Sequence, residues 1–131
     1  MSDKELISLE WLQEVASRTN ANVEFKSAAG YLDSWIQLVM GERKFSIKIF
    51  MGEIIRVLPG SVAFGHAFTL RGDGDTWHSL IPSGKPRLRE MMATGKITTE
   101  GNLFEGMRST KAVALLVDAA REVGFPADRR H

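Results

Sequence analysis

The chain holds few groups able to do chemistry, and their spacing excludes most of what they could do. It has no cysteine, which removes disulfides, a thiolate nucleophile and Cys-ligated zinc or iron–sulfur centres. Its three histidines, His66, His78 and His131, form neither H-x-x-x-H nor H-E-x-x-H, so a zinc site would need distant carboxylates. No metal and no other cofactor is expected. The run Gly72-Asp73-Gly74-Asp75 has glycines like a phosphate loop, but the third glycine of G-x-G-x-x-G would be residue 77, which is Trp77. An EF-hand loop starting at Asp73 would need an oxygen ligand at 77 and glycine at 78, and meets Trp77 and His78. A strand-to-helix turn with an Asp cap accounts for the run more simply. There is no G-x-S-x-G elbow, and no two carboxylates are placed by the sequence as an acid/base pair.

His66 is the polar residue with the most to explain. Residues 62–71 read as one long strand, on which His66 shares a face with Val62, Phe64, Phe68 and Leu70. Ala63, Gly65, Ala67 and Thr69 form the small opposite face. An imidazole on an apolar face is either a core residue with one satisfied hydrogen bond or a polar group that orients a ligand in a greasy cavity. An enzyme built on such a pocket would use His66 or His78 as base, with Asp73 or Asp75 to orient it. Met91, Met92 and Met107 bring flexible thioethers, suited to core filling or to an adaptable pocket wall. The basic cluster Lys85, Arg87, Arg89 reads as a solvated helix face. Leu115 projects on the polar side of the last helix, as a lone exposed leucine or part of a membrane- or partner-facing edge.

The elements that must position these residues follow from periodicity. Ser8 caps a helix reaching about Asn20, with Leu9, Leu12, Val15, Ala16 and Thr19 on one side and Trp11 at the boundary. The period then changes to two. Strands are expected at 21–27, 35–40, 44–50, 54–58 and 62–71, with turns at Gly41-Glu42-Arg43, Met51-Gly52-Glu53 and Pro59-Gly60, as an antiparallel meander. A short helix capped by Asp73 or Asp75 ends at Pro82-Ser83-Gly84. Another helix spans 87–93 with Pro86 in its first turn and Gly95 after its end. A short strand at 96–100 precedes a final helical region, 104–123, with Val113, Leu116, Val117, Ala120 and Val123 as its buried stripe. Strands followed by helices without βαβ alternation mean an α+β layer of helices on one mainly antiparallel sheet.

Composition bounds the class. The 131 residues suit one domain, and 44% hydrophobic with 25% charged residues is ordinary for a globular chain. With 17 Lys+Arg against 16 Asp+Glu, the net charge of +1 supports no nucleic-acid partner. No apolar run reaches a membrane span and the charged N-terminus lacks a signal-peptide pattern, so a cytoplasmic protein with at most transient membrane contact is expected. The whole of 1–131 is read as one domain, with a core at about 8–124 and a flexible tail at 125–131.

Two stretches, in this order, resemble the sterol carrier protein-2 (SCP-2) family of lipid-binding domains. The first, 36–70, is a hairpin, a third strand, Pro59-Gly60 and a long apolar strand, running into Leu70-Arg71-Gly72-Asp73 and the helix with Trp77 and Leu80. The second, 91–102, carries Gly95-Lys96-Ile97 and the Gly101-Asn102 turn before the last helix. With the leading amphipathic helix the likeness covers about 8–124 and is to the bacterial-type stand-alone members. It implies a mainly antiparallel five-stranded sheet covered on one face by helices, with an apolar cavity between the layers. It also implies binding and transfer of a sterol, fatty acid or fatty acyl-CoA without metal or catalytic residue. The ligand-binding residues expected on this reading are Phe64, His66, Phe68, Trp77, Leu80, Met91, Met92, Ile97, Met107 and Leu116. Two other readings stay open: a small cofactor-independent isomerase or lyase acting on an apolar intermediate, and a protein-interaction module.

Overall fold

A computed structural model describes residues 7–63 and 65–124. Among the described residues the first helix, α1 (Leu9–Asn20), begins where Ser8 is extended and its hydroxyl accepts the Trp11 N–H at 3.1 Å. Its buried face is wider than the stripe the spacing suggests: Trp11 joins Leu12, Val15, Ala16 and Thr19 inside. Residues 21–27 are not a strand. Asn22 caps a short helix, α2 (Val23–Ala28), by accepting the Glu24 N–H at 2.8 Å, and Phe25 alone is buried. A cap and one buried side chain suffice for a single turn and a half, and they outweigh the alternation of Val23 and Phe25.

The sheet comprises β1 (Asp33–Met40), β2 (Arg43–Phe50), β3 (Glu53–Pro59), β4 (Phe68–Gly72) and β5 (Thr98–Gly101), in the order β3-β2-β1-β4-β5. The first three strands form the expected antiparallel meander. The turn between β2 and β3 needs left-handed backbone at Met51 (φ 52°) and Gly52 (φ 78°); a Cβ on Gly52 would lie 2.5 Å from the Lys26 carbonyl oxygen.

The fourth strand departs from the meander. It lies beside β1 and parallel to it, with Ile36 opposite Phe68 and Leu38 opposite Leu70, and it is antiparallel only to β5. Residues 60–63 and 65–67 are therefore not the first half of a long strand. They carry the chain from the far end of β3 back across two strands to the start of β4, as a parallel neighbour requires. Their bonds record that path: Gly60 N–H to the Lys44 carbonyl at 2.8 Å and Ala67 N–H to the Trp35 carbonyl at 2.8 Å.

Among the described residues, four helices follow the sheet's turn of direction. Asp73 caps α3 (Gly74–Ser83), accepting the Thr76 N–H at 2.7 Å, and Pro82 sits inside the last turn rather than ending it. Helix α4 (Lys85–Ala93) has proline in its first turn, and Gly95 follows it with φ 80°. The final helical region is two helices, α5 (Leu103–Arg108) and α6 (Thr110–Val123), hinged at Ser109. Ser109 is fully buried and its hydroxyl meets the Tyr31 hydroxyl at 2.9 Å, which anchors the break.

The core fills the space between one sheet face and helices α1, α3 and α6. Alternation puts Ile36, Leu38 and Met40 of β1, Phe45, Ile47 and Ile49 of β2, and Phe68 and Leu70 of β4 on that face. Leu115, expected on the polar side of the last helix, is buried with Leu116. The result is an α+β fold with a five-stranded, mainly antiparallel sheet, one parallel pair, and helices on one face.

Candidate functional site

Two cavities lie between the helices and the sheet, and every residue lining them is apolar. The larger, about 20 Å³, is bounded by Trp11, Leu12 and Val15 of α1, by Leu38, Met40 and Leu70 of the sheet, by Trp77 and Ile81 of α3, and by Val113, Leu116, Val117 and Ala120 of α6. The smaller, about 10 Å³, is bounded by Phe25, Ile36, Leu38, Ile47, Ile49, Leu70, Ala112, Val113 and Leu116. The two share Leu38, Leu70, Val113 and Leu116, so they are neighbours separated only by these side chains. Each has room for about one water, yet neither offers the polar partners a buried water needs.

The two tryptophans explain why the lining presents no donor. Trp77 Nε1–H donates to the Val39 carbonyl at 2.9 Å, and Trp11 Nε1–H donates to the Gly124 carbonyl at 2.8 Å. Each indole spends its one polar group on backbone and gives its ring to the cavity. No titratable side chain lines either cavity, so the site can recognise shape and hydrophobicity and offers no acid or base.

The expected site residues divide between several places. Trp77 and Leu116 line the larger cavity, and Leu116 lines the smaller as well. Phe68, Leu80, Met91 and Ile97 are buried in the surrounding core. Met91 also lines an open, charged depression of about 400 Å³ with Asp73, Asp75, Arg87 and Lys96. Met92 packs half-buried against the core, whereas Met107 is 77% exposed on α5. Phe64 lies outside the described residues. Trp11, Val15, Leu38 and Val113 were not among the expected ligand residues; the buried stripes of the first and last helices were the signal for the helical ones.

His66 is not on the cavity face. It sits in the crossover on the other side of the sheet, with Nε2 at 2.9 Å from Ser46 Oγ. Ser46 is fully buried there and donates its one proton to the Gly60 carbonyl at 2.7 Å, so His66 must be the donor in their bond. That assignment removes a Ser–His nucleophile pair, because the histidine holds a proton where a base would need a lone pair. Gln37 extends the polar cluster, donating to Ser61 Oγ and accepting from Thr69 Oγ1. Burial pushes the His66 pKa below its usual value.

Asp73 stands at the other end of β4, five strand residues away, or about 16 Å in extended chain. It therefore does not orient His66. The Thr76 N–H bond that makes it a cap holds its carboxyl below the usual range, with Lys96 a smaller contributor. Among the described residues, no group of three or more His, Cys, Asp or Glu is placed to hold a metal. No helix among them is long and apolar enough to cross a membrane.

No family model matches the chain, and no curated protein does. Solved structures do. A conserved hypothetical protein of Thermus thermophilus, described as a candidate sterol carrier protein, superposes with a TM-score of 0.74 at 18% identity, over 92% of this chain and 90% of that one. A sterol carrier protein 2 gives a TM-score of 0.74 at 17% identity, over 95% of this chain and 100% of that one. The apo form of sterol carrier protein 2 from Yarrowia lipolytica gives 0.56 at 14% identity, over 84% and 88%. The chain thus has an SCP-2-like fold, as its motifs suggested.

Proposed function

We propose that the protein binds and carries an apolar small molecule of the sterol, fatty acid or fatty acyl-CoA class in the space between the helices and the sheet. The observation that carries this reading is the pair of adjoining cavities with wholly apolar walls, placed where the two layers meet. Two voids divided by four side chains are a fault line in the packing. A core without a ligand role gains stability by closing such voids, at roughly 20 cal/mol per Å² of cavity surface.

The energetics agree. Burying a 15-carbon chain at about 0.8 kcal/mol per CH₂ is worth roughly 12 kcal/mol gross. A site for such a chain occupies about 300 Å³ or more, so Leu38, Leu70, Val113 and Leu116 must part to join the cavities. The gross gain leaves room for that opening and for the entropy of association at micromolar affinity. The walls offer shape and apolar surface, which is what binding such a chain requires.

A brominated fatty acid tests the location as well as the binding. Trp11 and Trp77 line the larger cavity, whereas Trp35 lies on the opposite sheet face, out of register with Ile36 and Leu38. The brominated chain should quench the wild-type protein and Trp35→Phe saturably, and leave the double variant Trp11→Phe/Trp77→Phe, which keeps only Trp35, nearly unaffected. No saturable quenching, or equal quenching of Trp35, would sink the proposal.

A further inference from the structure

The large apolar side chains that remain exposed among the described residues all stand at one end of the molecule. They belong to α2 and the loop after it, to the turn and strand ends joining β2 to β3, and to α5. Strand pairing brings these elements together: Asp33 faces Phe50, which faces Glu53, while Phe68 faces Gly101 just before α5. The hydroxyl bond between Tyr31 and Ser109 ties the loop after α2 to the end of α5.

Helix α5 is amphipathic in the wrong sense for a core helix. Its buried residue is Gly106, whose missing side chain lets the backbone rest on Thr99 and Phe68. Leu103, Phe104 and Met107 are 58%, 67% and 77% exposed. The charge beside them is arranged by sign. Arg108 and Lys111 are exposed, with the Arg108 guanidinium 3.9 Å above the Tyr31 ring. The one acid of the helix, Glu105, is half-buried and reaches Arg108 at 3.7 Å.

We infer that α5, with Tyr31 and Lys111, is a docking surface for a phospholipid bilayer. Leu103, Phe104 and Met107 stand clear of the surface, suited to insertion among acyl chains, while Arg108 and Lys111 complement headgroup phosphates. Tyr31, with an apolar ring and a polar tip, suits the boundary between them. The inference extends the carrier reading, because α5 covers Phe68, the strand partner of Ile36 in the smaller cavity. Docking would set lipid against that end of the apolar space.

Flotation with vesicles of phosphatidylcholine and phosphatidylglycerol tests the surface. The wild-type protein should float with the vesicles, and Phe104→Asp/Met107→Asp should bind at least ~10-fold more weakly, since the loss of even one inserted side chain costs about tenfold in affinity. Lys111→Glu should weaken binding and flatten its salt dependence. Lys44→Glu, the same charge change at the opposite end of the sheet, should bind as wild type. Both altered α5 side chains are mostly exposed, so the double variant should melt with the wild type and still be quenched by brominated fatty acid added without vesicles. That second readout separates the two readings: lost quenching with intact flotation fails the carrier and keeps the docking surface. Wild-type protein that does not float, or a double variant that floats equally well, overturns the inference. So does a self-association that the double variant abolishes without any change in flotation, which would assign the patch to a second copy of the chain.

Discussion

Trp77 and His66 show how one residue's hydrogen bond decides which role its ring can take. Trp77 satisfies its N–H on the Val39 carbonyl and so becomes pure apolar surface toward the cavity. His66 spends its Nε2 proton on a serine already committed elsewhere, and so becomes a structural donor in the polar layer under the crossover. A pH dependence follows from its lowered pKa. Folding holds His66 neutral more firmly than the unfolded chain does, so near its ordinary value of 6.5 the unfolded state binds more protons. The stabilisation is complete above about pH 6.5 and is lost as pH falls toward the lower folded-state pKa. Urea midpoints taken stepwise from pH 7.5 to pH 5 should fall for the wild type and fall less for His66→Gln, whose amide can still donate to Ser46. Equal slopes would contradict this account.

At the level of helices and strands, α5 is held close by the absence of a single methyl group. A Cβ on Gly106 would lie 2.5 Å from Thr99 Cγ2, well inside contact distance. Gly106→Ala should therefore destabilise by about 1–3 kcal/mol, the usual cost of overpacking a tight contact, despite alanine's better helix propensity. Thr99→Ser deletes the opposing methyl, and the double variant should recover most of the loss. A double-mutant cycle by denaturant unfolding measures this coupling directly, and additive single effects would show that the contact does not limit α5. The same comparison shows why the final helical region breaks at Ser109. Glycine at 106 and a buried serine at 109 bend the chain so that α5 rests on β4 and β5 while α6 turns to cover the sheet.

Taken as a whole, the molecule packs its helices on the sheet around two apolar voids of about 20 and 10 Å³, which the proposed carrier role makes the ligand space. Ligand that binds the folded state alone adds stability by mass action, about 2.7 kcal/mol at a hundred times the dissociation constant. For a chain of this length that corresponds to a rise in Tm of roughly 10 °C. Thermal melts with rising fatty acid should show this shift, growing with the logarithm of ligand concentration once the site is saturated. A Tm independent of ligand would contradict a site inside the folded core.

Much of this architecture was legible in local patterns. The stripes of the first and last helices, the Ser8 and Asp73 caps and the two hairpin turns are set by neighbours within a few residues, where periodicity and capping chemistry act. The order of short motifs around Gly72-Asp73 and Gly101-Asn102 was enough to indicate the fold. What the local patterns missed depends on contacts distant in sequence. Residues 62–67 alternate as a strand would, but β4 pairs with β1 in parallel, and a parallel neighbour obliges the chain to cross the sheet first. That crossing takes His66 away from the apolar face and buries Ser46 and Gln37 beneath it. Trp11 likewise reads as a boundary residue on its own helix, and becomes a cavity wall because α6 and α3 close over it. Which apolar residues line a void and which merely fill the core is a matter of how side chains from seven elements meet. No single segment carries that information, because packing is a property of the assembled layers.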